Sequence, residues 1–123
     1  MFNNIVAIGI NHDSAPLAVR EQVAFAAEKI ASALGSLIGE TPLEEAVILS
    51  TCNRTEVYGV IAEGVDATDA GNAAVGWIEH FHALPASALN ECIYRHVGPH
   101  AVTHLVRVAA GLNSMVLGEP QIF

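Results

Sequence analysis

The order in which strand-like and helix-like segments follow one another constrains the fold of this chain more than any other feature of its sequence. Ile5–Ile10 is a short apolar run, typical of a strand that is buried on both faces. Two further runs, Glu45–Leu49 and Thr55–Ile61, are rich in Val, Ile and Tyr and are separated by a short polar segment. A fourth strand is predicted over Leu89–Gly98.

Apolar residues at helical spacing fill the stretches between these strands. Residues 17–38 are predicted to form one helix or two, because Phe25 and Ala26 can lie at a break. Residues 64–85 predict a second helical stretch, with Asp66 or Thr68 as the candidate cap at its beginning and Pro85 at its end.

The resulting order is β-α-β-β-α-β, followed by one more helix that begins at Pro99. This order is that of the ferredoxin-like, split βαβ arrangement, an α+β fold in which an antiparallel four-stranded sheet has helices on one face. With 123 residues, the chain has the length of about one domain. Because proteins of many functions share this fold, the function must be inferred from particular side chains.

The composition limits the partners and the location of the protein. The formal net charge is −8 and the five Lys and Arg residues form no cluster, so the sequence lacks the basic patch that gives most nonspecific affinity for nucleic acids. No apolar stretch approaches the roughly 20 residues that span a bilayer, and the N-terminus lacks the pattern of a signal peptide. We therefore expect a soluble cytoplasmic protein with no membrane partner, in which Cys52 and Cys92 are free thiols.

The polar segment between the second and third predicted strands contains Cys52, within the sequence Ser-Thr-Cys-Asn-Arg-Thr. Structural cysteines usually have apolar neighbours, whereas a nearby guanidinium such as that of Arg54 favours the thiolate that attacks a carbonyl carbon. These residues leave two interpretations open, a small buried side chain or a reactive thiol. Arg54 also allows two interpretations, a solvated surface residue or a fork of N–H donors that binds a substrate carboxylate.

The final predicted helix contains a histidine outside its apolar face. On a helical wheel, His104 shares a stripe with Arg107 and Gly111, and Ser114 extends this stripe if the helix continues that far. The opposite, apolar face consists of Val102, Leu105, Val106, Ala109 and Leu112. The stripe either faces solvent or directs His104 into a cleft, where a histidine suits proton transfer or the polarisation of a carbonyl.

The remaining histidines and Cys92 do not predict a metal site. His80 and His82 lack the i, i+4 spacing of metal ligands on a helix. Cys92 and His96 fall in the fourth predicted strand, where we expect a buried, inert thiol and a packing or surface histidine.

Three blocks of the sequence together resemble the N-terminal catalytic domain of the glutamyl-tRNA reductase family. They are "GINHDSAPLAVREQVAF", "LSTCNRTEVY" and "HLVRVAAGLNSMVLGEPQI". The blocks occur in the family's order and span nearly the whole chain, and the last two are specific. The resemblance implies that residues 1–123 form that catalytic domain, which binds glutamyl-tRNA.

The resemblance also implies a thioester mechanism. The thiolate that matches Cys52 attacks the ester carbonyl joining glutamate to the tRNA, and releases the tRNA. Hydride from NADPH then reduces the bound acyl group to glutamate-1-semialdehyde, the first product on the route to tetrapyrroles. A thioester is a good acyl donor to hydride, and two steps have lower barriers than one.

Roles for individual residues follow from positions that match the family's motifs. Cys52 matches the nucleophile, and His104 matches a histidine that is important for activity. Arg54 would bind the side-chain carboxylate of the glutamyl group. The other residues implied to contact the substrate are Thr51, Asn53, Ser114, Glu119, Pro120 and Gln121.

The family's members continue into a Rossmann-type NADPH domain and, through a long helix, into a dimerisation domain. This chain has no G-x-G-x-x-G motif after a predicted strand. We therefore expect the chain to form the thioester without producing the aldehyde. NADPH binding, homodimerisation and hand-over of the product to glutamate-1-semialdehyde aminomutase would belong to the full-length protein.

Two other functions remain compatible with the sequence. A non-catalytic, ferredoxin-like small-molecule-binding module needs no reactive thiol, so it predicts similar alkylation rates at Cys52 and Cys92. A structural domain that binds a protein partner predicts that Arg54→Ala and His104→Ala are tolerated in a functional assay.

Overall fold

The computed structural model describes residues 3–114 and 121–122, which form one antiparallel sheet with helices on both faces. The strands are β1 (Ile5–Asn11), β2 (Leu43–Ser50), β3 (Arg54–Ile61), β4 (Tyr94–Val97) and β5 (Gln121–Ile122). The helices are α1 (Leu17–Gln22), α2 (Ile30–Glu40), α3 (Ala67–Phe81) and α4 (Pro99–Ser114), with a 3-10 turn at Ala27–Lys29. Among the described residues, no helix is long and apolar enough to cross a membrane.

The strand order of the sheet is β4-β1-β3-β2-β5. Its first four strands have the order of the ferredoxin-like fold, so the predicted α+β, split βαβ arrangement is confirmed. The two-residue strand β5 extends the sheet beyond β2, where it pairs antiparallel with Leu49 and Ser50. This fifth strand was not predicted from the sequence.

The first helical stretch is divided into two helices, so of the two alternatives left open by the sequence, the one with a break near Phe25 and Ala26 is correct. After α1 the chain leaves the helical path, and Val23 and Phe25 become buried, with 1% and 5% of their surfaces exposed. The Phe25 N–H donates to the Ser50 hydroxyl at 3.0 Å. The break is therefore tied to the end of β2, next to the polar segment.

Helices α2 and α3 cover one face of the sheet and form the main core with it. Every second residue of β1 points to this face, and Val6, Ile8 and Ile10 are at most 1% exposed. The helices contribute Ala33, Leu37, Ala70, Ala74, Trp77 and Ile78. Small side chains on α3 allow that helix to lie close to the strands.

The fourth strand is shorter than predicted. It begins only at Tyr94, because the backbone N–H groups of Cys92 and Ile93 both donate to the Leu89 carbonyl and so form turns. Leu89 is buried, and its own N–H donates to the buried carboxylate of Glu79. Cys92 therefore lies in a turn rather than in a strand, and it packs against the edge of the main core.

Helix α4 lies on the opposite face of the sheet, and the prediction of its apolar face was wrong. The residues that face the sheet are Ala101, His104 and Val108, whereas Leu105 and Val106 are 42% and 62% exposed. The wheel assumed that the most apolar stripe must be the buried one. The sheet surface under α4 combines the Glu56 carboxylate and the hydroxyls of Tyr58 and Tyr94 with small residues such as Ala7, however, and a histidine and small residues of the helix face it.

Candidate functional site

Cys52 lies at the tip of the tight turn that joins β2 to β3. The Thr51 N–H donates to the Arg54 carbonyl at 2.8 Å. The Thr51 hydroxyl accepts hydrogen bonds from the N–H groups of Asn53, at 3.1 Å, and Arg54, at 3.2 Å. Thr51 thus fixes the backbone on both sides of Cys52, which is exposed and not in a disulfide. The exposure is what a reactive thiol requires.

A buried carboxylate lies between the sheet and α4. Glu56 of β3 is only 1% exposed. Its Oε1 accepts a hydrogen bond from the Tyr58 hydroxyl at 2.7 Å, and its Oε2 accepts one from the Tyr94 hydroxyl. His104 Nε2, at 2.5 Å, and Arg54 Nη1, at 3.3 Å, contact the same Oε2. We call these five residues the Glu56 cluster.

The partners of Glu56 explain how a carboxylate can be buried here. A buried charge is costly unless opposite charge and hydrogen bonds compensate for the lost water. Glu56 has three hydrogen-bond donors besides the ion pair with Arg54. Because a carboxylate can only accept, His104 donates through Nε2, which fixes the orientation of its ring.

Small residues of β1 make the space for this cluster. Gly9 is paired with Glu56 on one side and with Tyr94 on the other. A Cβ atom at Gly9 would lie 2.7 Å from Cγ of Glu56 and 2.6 Å from the Thr55 carbonyl oxygen. In the next row, Ala7 lies against Tyr58 and Ala101. Any larger side chain at Gly9 would displace the carboxylate.

The tyrosines of the cluster stay protonated. Burial, followed by the hydrogen bond from its hydroxyl to Glu56 and the charge of Glu56, raises the pKa of Tyr58 far above its usual value. Burial and then the charge of Glu56 raise the pKa of Tyr94 in the same way. Both hydroxyls therefore remain hydrogen-bond donors at every physiological pH, and they hold Glu56 in one position.

A second histidine stacks on His104. The rings of His96 and His104 have centroids 4.4 Å apart and an interplanar angle of 28°. Burial, and then the nearby His104, lower the pKa of His96 below 6.5. His96 is thus neutral at neutral pH, and it packs against His104 without adding positive charge beside it.

The structure places most of the residues predicted for the site at one end of the sheet. Thr51, Cys52, Asn53 and Arg54 form the turn, and Arg54 and His104 share one oxygen of Glu56. Gln121 pairs through its backbone with Ser50, next to this turn. Ser114 is the last residue of α4. Glu119 and Pro120 lie outside the described residues.

Three residues of the site, Glu56, Tyr58 and Tyr94, were not predicted from the sequence. The available signal was alternation: positions 54, 56 and 58 share one face of β3, and each has a polar group. A glutamate within an otherwise apolar strand was the strongest part of this signal. Within the described ranges, no three His, Cys, Asp or Glu side chains are arranged to hold a metal ion.

The fold and the site together define an α+β domain with an accessible cysteine in the turn before β3, and with a buried carboxylate on β3 that binds an arginine and a histidine. Residues 8–123 match the family described as "Glutamyl-tRNAGlu reductase, N-terminal domain", and the chain belongs to this family. The resemblance stated from the three sequence blocks is therefore confirmed.

Relatives and a solved structure agree with this assignment. The glutamyl-tRNA reductase of Pseudoalteromonas translucida is 50% identical over 118 residues, which cover 96% of this chain and 27% of the relative. That of Nitrosococcus oceani is 47% identical, with the same coverage. The solved glutamyl-tRNA reductase from Methanopyrus kandleri has a TM-score of 0.62 and 28% identity, covering 92% of this chain and 24% of that one. This chain thus spans about a quarter of the length of its relatives.

Proposed function

We propose that this chain performs the acyl-transfer half of the reaction for which its relatives are named, and accepts the glutamyl group of glutamyl-tRNA on Cys52. The relatives' name supports the substrate. The observation that carries the proposal is the exposed thiol of Cys52, at the tip of a turn held on both sides by Thr51.

The proposed step exchanges an ester for a thioester. The Cys52 sulfur forms a bond to the carbonyl carbon of the glutamyl ester, and the bond between that carbon and the ribose oxygen of the tRNA breaks. The proton that the Cys52 thiol gives up ends on this ribose oxygen, so the tRNA leaves with a free hydroxyl group. Thiolate attack on an acyl group is a general route to such intermediates, because the thiolate is a strong nucleophile near neutral pH.

The Cys52 turn also provides groups that can hold the glutamyl chain. Arg54 uses Nη1 to contact Glu56, and a guanidinium has five N–H donors, so further donors remain for the substrate carboxylate. We propose that Thr51 and Asn53 contact the same glutamyl group. Contacts from Ser114, Glu119, Pro120 and Gln121 are part of the proposal, and the pairing of Gln121 with Ser50 supports the last of these.

His104 is proposed to act on the reacting ester through a proton transfer or by polarising its carbonyl. Glu56 binds Nε2 of His104 and Nη1 of Arg54 through the same oxygen. Glu56 would therefore position the group that binds substrate and the group that assists the chemistry relative to each other.

The reduction itself is not assigned to residues of this chain. In the full-length protein, NADPH would supply the hydride that converts the thioester to glutamate-1-semialdehyde. A dinucleotide site of the Rossmann type needs parallel strands and a glycine-rich turn. All strand pairs within the described residues are antiparallel, so these residues do not form a dinucleotide site of the Rossmann type.

Further properties belong to the same proposal for the full-length protein. They are an N-terminal catalytic domain at residues 1–123, a separate NADPH domain, homodimerisation through a third domain, and a cytoplasmic location. The last of these proposed properties is hand-over of the aldehyde to glutamate-1-semialdehyde aminomutase, on the route to tetrapyrroles. The similarity to the relatives named glutamyl-tRNA reductase supports these properties.

Incubation of the chain with glutamyl-tRNA, followed by intact-mass and peptide mass spectrometry, tests the acyl transfer. We expect a glutamyl adduct on Cys52 that hydroxylamine removes, as it removes thioesters, and no aldehyde. Cys92→Ser should retain the adduct and Cys52→Ser should lose it. An adduct that persists in Cys52→Ser would refute the proposal. So would the absence of an adduct on a wild-type chain whose Cys52 still reacts with iodoacetamide, and that result would favour a non-catalytic binding module.

A further inference from the structure

A second arginine contacts the Cys52 turn from outside the motif that contains it. Arg20 of α1 donates from Nη1 to the Cys52 carbonyl oxygen at 3.1 Å, across 32 positions of sequence. Its Nε donates to the Ala15 carbonyl at 3.2 Å. Ala15 is buried, with 4% of its surface exposed. The guanidinium thus connects the loop after β1, helix α1 and the turn that presents the thiol.

The two arginines beside Cys52 differ in how their charges are compensated. Arg54 lies 3.3 Å from the Glu56 carboxylate, which offsets part of its charge. Within residues 3–114 and 121–122, Arg20 has no Asp or Glu oxygen within ion-pair distance. Its hydrogen-bond partners are neutral carbonyl groups, one of them the carbonyl of Cys52 itself, so no carboxylate offsets its charge next to the backbone that presents the exposed thiol.

We infer that Arg20 is a positioning residue for Cys52, which holds the turn through the Cys52 carbonyl and attracts anionic electrophiles to the thiol. The inference deepens the proposed function and rests on it in one respect, that the natural electrophile is glutamyl-tRNA, a polyanion. A planar guanidinium suits both tasks, because it reaches two carbonyl oxygens at once and keeps its charge at every relevant pH.

Alkylation of the 123-residue chain measures both effects without tRNA. The rates at Cys52 are measured with anionic iodoacetate and with neutral iodoacetamide, and their ratio reports the charge near the sulfur. In Arg20→Gln we expect this ratio to fall about threefold at low salt, the size expected for one charge near a solvated group. In Arg20→Lys the ratio should be retained, while both rates change because the connection to Ala15 and Cys52 is lost. Added salt should reduce the difference between wild type and Arg20→Gln.

Two references separate this effect from general loosening of the fold. Cys92 is measured in the same samples, and its ratio should be the same in all variants. Arg95→Gln is the matched control, because that guanidinium binds Asn72, on α3. If Arg20→Gln also raises the alkylation rate at Cys92, the substitution has destabilised the fold. In that case the alkylation rates of Arg20→Lys and wild type are compared at a lower temperature. A ratio of iodoacetate to iodoacetamide rates that Arg20→Lys retains, together with changed rates at Cys52, supports the inference. Rates at Cys52 equal to those of wild type overturn it.

An unchanged ratio in a folded Arg20→Gln would overturn the inference. Its failure is distinguishable from failure of the proposed function. A chain that forms the glutamyl adduct but has a ratio independent of Arg20 refutes only the inference. A chain whose ratio depends on Arg20 but that forms no adduct refutes only the acyl transfer.

Discussion

The two faces of the sheet bury different kinds of residue. Under α2 and α3, the sheet contributes aliphatic side chains such as Ile8 and Val57, which are fully buried. Under α4, the same strands contribute Glu56 and Tyr58, and the helix adds His104. Adjacent residues of one strand, β3, thus serve opposite purposes, because successive side chains point to opposite faces.

Because of this difference, the face under α2 and α3 provides most of the stability, and the face under α4 provides the groups for the proposed chemistry. The apolar face gains free energy from removing aliphatic surface from water, at about 25 cal/mol per Å². The Glu56 cluster gains little net free energy, because hydrogen bonds and an ion pair mainly offset the desolvation of its charges. What the cluster provides is fixed orientation of Arg54 and His104. Substitutions on the two faces should therefore affect different measurements.

The largest effect on stability is expected from Ile8→Ala, on the apolar face. Ile8 is 0% exposed, so truncation leaves a cavity and should lower the free energy of unfolding by about 3 kcal/mol. Urea denaturation measures this loss as a lower midpoint with an unchanged m-value. The control is Val47→Ala, a position 38% exposed, where we expect a loss below about 1 kcal/mol. Equal losses at the two positions would contradict the assignment of the main core to one face.

Gly9→Ala tests whether the polar face depends on empty space in β1. The added Cβ would lie 2.6 Å from the Thr55 carbonyl oxygen, so backbone or the Glu56 side chain must move, at a cost of about 2 kcal/mol. Gly35→Ala is the matched control, because nothing lies within 4 Å of its added Cβ in α2. That change should stabilise the protein by about 0.5–1 kcal/mol, since alanine favours a helix more than glycine does. Stabilisation by both substitutions would show that a methyl group at position 9 fits beside Glu56 without displacing it.

Glu56→Gln should separate chemistry from stability. The amide places a donor among groups that are themselves donors, so we expect a loss of about 1.5 kcal/mol, as for hydrogen bonds to a charged group. The rate of glutamyl-adduct formation at Cys52 should fall at least about tenfold, because Arg54 and His104 lose their common anchor. Glu79→Gln is the control, since Glu79 is also buried, at 5% exposed, but accepts from Leu89 on the other side of the sheet. It should lower stability and leave the adduct rate of the folded protein unchanged.

The sequence predicted the apolar face better than the polar one. Periodicity identified β1 and α3, because these elements bury apolar residues with a regular period, whereas it left open whether the first helical stretch breaks near Phe25. It failed for α4, where Leu105 is exposed and His104 faces the sheet, since hydrophobicity alone cannot reveal that the covered surface contains a buried carboxylate. It also missed Arg20 as a neighbour of Cys52, because that contact joins residues far apart in the chain.

The smallest effect concerns pH and a histidine on the apolar side. The His82 ring packs against Phe25, with centroids 4.6 Å apart, and among the described residues its buried Nε2 has no hydrogen-bond partner. Burial lowers the pKa of His82 below the ordinary value of 6.5. As pH falls through 6.5 the unfolded chain binds the proton first, so stability is lost as pH falls and is unaffected above 6.5. Thermal unfolding between pH 7.5 and pH 5 should show this loss, to which His82 alone contributes a slope of at most about 1.4 kcal/mol per pH unit.

His82→Phe keeps the ring contacts and removes the proton, so the acid loss should become smaller. His80→Gln, at an exposed position two residues away, controls for substitution in this region. On the other face, the lowered pKa of His96 acts in the same direction, so His96→Phe should remove a further part of the loss. An acid loss that is the same in wild type and His82→Phe would mean that the ring can reach water when it is protonated. The apolar core around His82 would then be more accessible to water than the aromatic contacts of His82 imply.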